Sequence, residues 1–279
     1  MTAEVPARTV PGMRGTDTER MDSGRKRDGS RSSLVADILA KVVAARAAQA
    51  GRAALDIVDV GAGTGGLAVS MAQAGHRVTV VDPSPDALAA ARWRSAETGV
   101  TLTEVQGEAA DLPALVGTAG ADLVICHSVL EYVDSPSAAL AAIARVLRPG
   151  GTVSVLAANH VAAVLQRALA GRYAEARAML PGTAQETEAQ ETGAPPGTAA
   201  VARRFTLPEL TALIEGAGLR AGEAHGIRIF SSLLHSASDH GAGADPAAAD
   251  ALRELEEAAA TCPPLRDIAT RLHLLAYRA

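Results

Sequence analysis

A run of glycines follows a short apolar stretch near residue 60, and this spacing of residue types indicates a ligand-binding turn. Residues 57–66 read I-V-D-V-G-A-G-T-G-G, so glycines stand at 61, 63, 65 and 66. Because glycine has no Cβ and adopts positive φ without strain, the backbone of such a turn can approach a ligand closely. Asp82 ends the next predicted strand, where a carboxylate can accept hydrogen bonds from both ribose hydroxyls of an adenosine. The two features together predict a site for an adenosine-containing ligand.

Two adenosine ligands fit this pattern. Gly61, Gly63 and Gly66 satisfy the G-x-G-x-x-G of dinucleotide binders. Asp59 followed by Gly61, Gly63 and Gly65 satisfies the D-x-G-x-G-x-G of S-adenosylmethionine (SAM) binders. A hydride-transfer enzyme of the short-chain type also needs a Tyr-x-x-x-Lys pair, and the chain has no lysine after residue 41. SAM is therefore the predicted cofactor, and a tight turn with an N-capping aspartate and no ligand is the alternative.

The composition and net charge of the chain argue against several classes of protein. The 279 residues are 48% hydrophobic but 2% aromatic, so alanine, leucine and valine must fill the core. A net charge of −5 argues against a strongly electrostatic nucleic-acid binder. The two cysteines, expected to be buried thiols, and the histidines lack metal-ligand spacing, so no metal is predicted. Because no apolar run approaches membrane-span length and no signal sequence is recognisable, we expect a soluble cytoplasmic protein without a membrane partner.

Strands and helices are predicted to alternate from residue 55 to residue 158. This alternation is typical of an α/β fold with a parallel sheet covered on both faces. Ser84 is a predicted N-cap, and R-P-G-G at 148–151 is predicted to end a helix. The predicted strands are 55–60, 77–81, 101–106, 122–127, 152–158, a β-rich run at 226–234 and 271–278. The predicted helices are 34–48, 64–74, 84–97, 136–147, 207–217 and 246–260.

Two segments depart from this alternation. Residues 1–33 are polar and turn-rich, which predicts a disordered tail before a domain spanning 34–279. Residues 160–205 are predicted to form an insertion or lid, with a long alanine-rich helix at 160–180 followed by an acidic, low-complexity loop at 181–200.

The strand A-D-L-V-I-C-H-S-V-L-E-Y-V at 121–133, followed by a helix, R-P-G-G and another strand, resembles class I SAM-dependent methyltransferases. The final strand fits the same resemblance. The resemblance implies a Rossmann-like, mostly parallel seven-stranded sheet with an antiparallel last strand and a helical insertion after strand five. In that family the run Gly107–Asp111, which includes Ala109 and Asp111, contacts adenine, and Asp59 is expected to orient the methionyl amino group.

The chain is similar, more particularly, to the methyltransferases that esterify carboxymethoxyuridine at the wobble position of tRNA. The resemblance rests on H-S-V-L-E-Y-V (127–133), V-L-R-P-G-G (146–151), A-G-R-Y (170–173), M-L-P (179–181), G-I-R-I-F (226–230), L-R-E-L-E (252–256) and R-L-H (271–273). It implies cofactor contacts at Gly61, Ala62, Asp82, Ala109 and His127. It also implies an arginine near Arg31 that reaches the methionyl carboxylate.

The chain departs from that family on the acceptor side. It reads A-A-N-H-V at 157–161, where the family tends to have Y-N-A-H-G, so Asn159 is kept and the tyrosine is lost. Residues 185–191 are Q-E-T-E-A-Q-E, where relatives can carry a lysine run. Binding of tRNA usually needs phosphate-neutralising charge and stacking platforms. A small-molecule acceptor therefore stays open beside tRNA.

The acceptor group decides which catalytic residues are needed. A carboxylate is already ionised near neutral pH and needs no base, so an arginine that orients it would suffice. Arg228, expected on the sixth strand between Ile227 and Ile229, is the candidate, with Asn159 beside it. A hydroxyl or amine acceptor would need a base, for which His127, His160 and Glu131 are candidates.

Three functions follow in descending order. The first is a SAM-dependent O-methyltransferase acting on a carboxylate, such as that of modified wobble uridine. The second is a methyltransferase of a small metabolite. The third is a binding module that keeps the fold without turnover.

Glu254, Glu256 and Glu257 are interpreted as the solvated face of an amphipathic helix.

Overall fold

A computed structural model describes residues 17–180, 202–234 and 246–279, with side chains described over 34–180, 202–233 and 247–279. The predicted α/β architecture is confirmed: a seven-stranded sheet runs in the order β3-β2-β1-β4-β5-β7-β6. β7 pairs antiparallel with both β5 and β6, and the other pairings are parallel. The strands are β1 Asp56–Val60, β2 Arg77–Asp82, β3 Thr103–Gln106, β4 Ala121–His127, β5 Leu147–Ala158, β6 Arg220–Ile227 and β7 Arg271–Tyr277.

Helices cover both faces of this sheet. Ser84 caps α3 as predicted, because its hydroxyl accepts from the Ala87 N–H at 3.3 Å. The helices are α1 Asp17–Ala50, α2 Gly66–Gln73, α3 Pro85–Thr98, α4 Leu112–Val116, α5 Pro136–Val146, α6 His160–Leu169, α7 Tyr173–Ala178, α8 Leu207–Gly216, α9 Ser231–Leu234, α10 Pro246–Ala259 and α11 Pro263–Arg266, with a 3-10 turn at Ala109–Asp111.

Side chains alternate between two apolar cores, one on each face of the sheet. Ile57, Leu123, Ile125 and Leu156 pack with residues of α1, α2 and α3 on one face. Residues of the opposite parity pack with α5 and α8 on the other face. Alanine, valine, leucine and isoleucine dominate both cores, as the low aromatic content predicts. Because both faces are covered, a ligand finds space beyond the strand ends rather than over the sheet.

Two predicted elements, the strand at 226–234 and the single helix at 160–180, have the wrong boundaries. β6 ends at Ile227, and residues 228–234 form a bend and α9 instead of a strand. Ile229 and Phe230 leave the sheet because they pack in a separate small cluster with Ala259 and Ala269. The helix predicted at 160–180 is two helices, because Gly171 adopts φ 72° between them. Residues 181–200 lie outside the described residues.

Helix α1 is longer than the predicted 34–48. It begins at Asp17, within the segment predicted as a disordered tail; residues 1–16 lie outside the described residues. Residues 17–33 include Gly24, Gly29 and several serines and aspartates, so intrinsic helix propensity does not account for this extension.

Arginines at the C-terminal end of α1 fix this helix to the amino-terminal edge of the sheet. The buried carboxylate of Asp122, in β4, pairs with Arg52 and lies 3.4 Å from Arg46 Nη2 and 2.9 Å from Arg148 Nη1. The preceding turns of α1 therefore extend toward the carboxyl edge, where Asp82 and the glycine turn lie.

Two further expectations concern cysteines and membrane spans. Cys126 is buried, but Cys262 is exposed, contrary to expectation, because it lies at the turn that caps α11. Within the described residues, none of the helices is both long and apolar enough to cross a membrane.

Candidate cofactor and acceptor site

The glycine turn lies between β1 and α2, at the carboxyl edge of the sheet. Gly61 has φ 65°, and a Cβ on it would lie 2.5 Å from Val129 Cγ2. Gly63 has φ 53°, but a Cβ there would meet no heavy atom within 4 Å. Packing thus requires glycine at 61, whereas the space beside Gly63 is open for a ligand. Ala62, between them, is half-buried against the α1 side of the sheet.

The Asp82 carboxylate lies beside this turn, as predicted. Asp82 ends β2 and is buried. One carboxylate oxygen accepts from the Ser84 N–H at 2.9 Å and the other from the Gly63 N–H at 3.3 Å. These bonds fix the carboxylate next to the open space at Gly63, in a position to accept ribose hydroxyls.

Asp59 is the second carboxylic acid of the site. It lies on β1 in register with Val80 and is 4% exposed. Burial, and after it the charge of Asp82, raises the pKa of Asp59 to about 7. A cationic amino group would therefore be a favourable partner for this acid. Two carboxyl groups beside an open glycine turn fit the amino and ribose groups of SAM.

The remaining predicted cofactor residues lie farther along the same edge. Ala109 is buried in the 3-10 turn after β3, and Asp111 ends that turn with an exposed side chain. Arg31 belongs to α1, but its side chain lies outside the described residues, so its contact with the methionyl carboxylate stays a prediction.

His127 lies directly beside the glycine turn. It ends β4, whose Cys126 is in register with Val60, the residue before Gly61. Its Nε2 lies 2.8 Å from Ser154 Oγ on the neighbouring strand β5. Burial, and after it the charge of Arg271, lowers the pKa of His127 to about 3. The ring is therefore neutral at physiological pH, and one of its nitrogens is a proton acceptor.

Asn159 contributes to the fold around the site. Its amide donates to the carbonyls of Asp267 and Ala269 at 2.8 and 2.7 Å, and its Oδ1 accepts from the Val161 N–H. Both amide hydrogens are thus used to join the end of β5 to the loop before β7. An acceptor has no donor left to bind on this side chain, so Asn159 is not part of the function proposed below.

Arg228 lies immediately after β6 in an unusual backbone conformation. Its φ is 62°, in the left-handed region that non-glycine residues rarely adopt. Its carbonyl accepts from the Thr270 N–H and Oγ1 and from Ser232 Oγ. Within the described part of the chain its guanidinium forms no ion pair.

Glu256 holds the turn that follows Arg228, and its predicted place on a solvated helix face is wrong. It is 9% exposed and accepts from the backbone N–H groups of residues 229, 230 and 231 at 2.8–3.0 Å. The sequence does not distinguish Glu256 from Glu254 and Glu257, because α10 packs against the turn through one glutamate and leaves the other two exposed.

Sequence reasoning also missed an ion pair at the carboxyl edge. Arg271, at the start of β7, lies 3.4 Å from Glu131 Oε1 and donates to Ser128 Oγ at 2.6 Å. Glu131 is buried, and its Oε1 also accepts from the Ala158 N–H. The motif R-L-H contains Arg271, but the sequence alone does not indicate its partner. Over the described residues, no group of three or more His, Cys, Asp or Glu side chains could hold a metal ion.

The part of the chain from β1 to β5 is similar to known proteins. Residues 58–155 match the model of a family described as a methyltransferase domain. A ubiquinone biosynthesis O-methyltransferase from Xanthomonas axonopodis pv. citri (strain 306) is 37% identical over 128 residues, which cover 46% of this chain and 53% of that protein. The chain therefore spans about half the length of the curated relatives it matches.

Solved structures share the fold over most of the chain. A magnesium protoporphyrin IX methyltransferase from Synechocystis PCC 6803, solved with bound S-adenosylhomocysteine (SAH), superposes with a TM-score of 0.54 at 16% identity, covering 94% of this chain and 96% of that one. A [4+2]-cyclase superposes with a TM-score of 0.53 at 19% identity, covering 87% and 80%. At these identities the likeness shows the fold alone.

The matched segment runs from β1 to β5 and includes the glycine turn, Asp82 and His127. These are the residues that the geometry brings together at the carboxyl edge. Over residues 58–155 the chain is therefore similar to a methyltransferase domain, and SAM is the cofactor that this match supports.

Proposed function

We propose that the protein transfers the methyl group of SAM to a hydroxyl oxygen of a small-molecule acceptor. The observation that carries this proposal is the neutral His127 ring, bonded through Nε2 to Ser154 and placed beside the glycine turn. The curated relatives are O-methyltransferases by name, which supports oxygen as the accepting atom.

Each residue of the site would have its own role in the reaction. When bound, SAM supplies a methyl group on a positively charged sulfonium, and such a displacement needs mainly alignment. Asp82 would hold the ribose and Asp59 the amino group. His127 would accept the acceptor's proton, because a hydroxyl is not ionised near neutral pH. His160 and Glu131, the other candidate bases, are already bound to the Met179 carbonyl and to Arg271.

Methyl-labelled SAM and two probe acceptors, catechol and benzoate, test this proposal. We expect label on the catechol oxygen, detected by mass spectrometry. His127→Gln should lower the rate by about 10²–10⁴-fold, far more than it changes the SAM affinity measured by calorimetry. Ester formation on benzoate with no methylation of catechol would reject a hydroxyl acceptor. SAM binding without either product would favour the binding module.

A carboxylate acceptor is the second candidate, and Arg228 favours it. The clamped left-handed backbone fixes a guanidinium that forms no ion pair in the described residues, as a carboxylate-orienting arginine requires. The carboxymethoxyuridine of tRNA implied by the sequence resemblance would be one such acceptor.

Arg228 variants and tRNA analysis test this second candidate. Because lysine cannot reproduce the planar two-donor fork, Arg228→Lys should lose about 1.5–3 kcal/mol of transition-state stabilisation, much as Arg228→Ala does. The modified nucleosides of tRNA from cells with and without the gene should then differ at the wobble ester. Identical nucleoside profiles would remove tRNA as the acceptor.

A further inference from the structure

A row of four polar side chains crosses the sheet from His127. Ser154 Oγ lies 2.8 Å from His127 Nε2 and 2.8 Å from His273 Nε2. His273 Nδ1 lies 3.4 Å from His225 Nδ1. The four residues lie on the neighbouring strands β4, β5, β7 and β6, on the face that α1 covers. We call them the histidine row.

The middle of the histidine row is inside the protein. Ser154 and His273 are 0% exposed, and His225 is 7% exposed. The adjacent inward-facing positions on these strands are apolar, as at Leu156 and Leu275. Polar side chains cost free energy in such a place unless they are hydrogen-bonded, and the core packing does not require them. Their continuity therefore suggests a use beyond packing.

The two ends of the histidine row open to different surroundings. His127 lies beside the glycine turn, at the carboxyl edge of the sheet. His225 lines a groove of about 580 Å³ between α1 and strands β5, β7 and β6. Its Nε2 lies 3.9 Å from a Glu223 carboxylate oxygen, and Lys41 and Arg266 also act on it electrostatically. Arg271 acts in the same way on His127.

With neutral rings, the hydrogens along the row can follow either of two opposite orders. The Glu223 carboxylate favours a hydrogen on Nε2 of His225, so its Nδ1 accepts from the Nδ1–H of His273. The Nε2 of His273 then accepts from the Ser154 hydroxyl, whose oxygen accepts from the Nε2–H of His127. Since a neutral imidazole has one hydrogen, the Nδ1 of His127 is left as an acceptor.

We propose that the histidine row conducts the acceptor's proton from the methyl-transfer site to the groove at His225, an inference that rests on the proposed hydroxyl acceptor. The acceptor O–H bond breaks as its O–CH₃ bond forms, and the proton passes to Nδ1 of His127. His127 gives its Nε2 hydrogen to Ser154, Ser154 gives its own to His273, and His273 gives its Nδ1 hydrogen to His225. The Nε2 hydrogen of His225 leaves to water. Every group ends neutral, with the order of hydrogens reversed. After the product leaves, the same hops run in the opposite direction, from a water at Nε2 of His225 to a water at Nδ1 of His127, and restore the starting order.

Nitrogen NMR of the histidine rings tests the row without any acceptor. In the full chain with ¹⁵N-labelled histidine, we expect the hydrogen of His127 on Nε2 and that of His273 on Nδ1. Ser154→Ala should release His127 into a mixture of both forms, while His76, outside the row, keeps its wild-type signals. A wild-type His127 with its hydrogen on Nδ1 would overturn the proposal.

Chemical rescue tests conduction itself, with catechol as the probe acceptor. His225→Ala should lower turnover by roughly a hundredfold, the lower end of the range for loss of proton transfer, and added imidazole should restore most of it from the groove. A structural role would not respond to imidazole. His225→Gln, which keeps more of the volume, should show the same loss without rescue, and His76→Ala should show neither effect. A folded His225→Ala protein with wild-type turnover, or with a loss that imidazole leaves unchanged, would overturn the proposal.

The experiments distinguish an error in the proposed hydroxyl acceptor from an error in the proposed proton conduction along the histidine row. If the wild type does not methylate catechol, the hydroxyl acceptor fails, and the NMR experiment still decides the order of hydrogens in the row.

Discussion

Asp59 is buried on β1 beside Asp82, which ends the neighbouring strand β2, and burial followed by this second carboxylate raises the pKa of Asp59 to about 7. In the protein without cofactor, a large fraction of Asp59 therefore carries a proton below neutral pH. The positive amino and sulfonium groups of SAM favour the ionised form, so binding should release that proton.

The affinity for SAM should consequently increase with pH. As pH falls below about 7, the dissociation constant should rise by up to about tenfold per pH unit, because binding then requires loss of a proton. Calorimetry between pH 5.5 and 7.5 measures this slope. Asp59→Asn should flatten it, and Asp86→Asn, an exposed change on α3, should keep it. A wild-type dissociation constant that does not change with pH would contradict the assignment.

The same shift has a consequence for stability. A raised pKa in the folded state stabilises the protein below the unfolded pKa near 3.8, and that contribution is lost as pH rises through about 7. Above pH 7 the buried charge is a cost, so Asp59→Asn should raise the free energy of unfolding at pH 8, measured by denaturant titration.

Replacing Asp82 should weaken cofactor binding. Asp82→Ala removes the partner expected for the ribose and leaves the Gly63 and Ser84 N–H groups without their acceptor. We expect a loss of roughly 1–3 kcal/mol in binding free energy for both SAM and SAH, and no binding of NADH by either protein, measured by calorimetry. Unchanged affinity would mean that the ribose is held elsewhere.

The two glycines that flank Ala62 should respond differently to alanine. Gly61→Ala combines a left-handed backbone with a Cβ 2.5 Å from Val129, so we expect roughly 2–5 kcal/mol of lost stability. Gly63→Ala meets open space and should cost about 1–2 kcal/mol from the backbone alone. Its methyl group projects into the proposed cofactor space, so SAM affinity should fall more than stability does. Equal thermal shifts for the two variants would contradict this difference.

Glu256 should prove far more important than its neighbour on α10. Glu256→Ala leaves three backbone N–H groups of the turn after Arg228 without their acceptor, and we expect roughly 2–4 kcal/mol of lost stability. Glu254→Ala, an exposed change on the same helix, should stay within about 0.5 kcal/mol of the wild type. Denaturant unfolding of both variants is the measurement, and similar midpoints would remove Glu256 from its structural role.

The local features of the sequence predicted much of the fold. Alternating strand and helix lengths indicated the mostly parallel sheet, and Ser84 and Gly99 mark the observed ends of α3. The spacing of Gly61, Gly63 and Asp82 indicated the cofactor edge. These features act through backbone conformation and short-range hydrogen bonds, so neighbouring residues suffice to define them.

Two predictions from apolar or polar patterns were wrong, because those residues pack against parts of the chain that the sequence does not indicate. Residues 228–234 look like a strand, but Ile229 and Phe230 pack against α10 and α11 instead of the sheet. The three glutamates of α10 look alike, but one is buried under the turn after β6. In each case the pattern was compatible with two environments.

The sequence by itself thus determined the order of the elements, the glycine turn and the choice of SAM. The tertiary structure decided which side chains meet near the carboxyl edge of the sheet, because those contacts join residues far apart in the chain. Ser154 and His273 are 119 positions apart, and Arg271 and Glu131 are 140 apart. Such pairs meet because β7 inserts between β5 and β6. That insertion depends on packing across the whole sheet, which no local spacing of residues encodes.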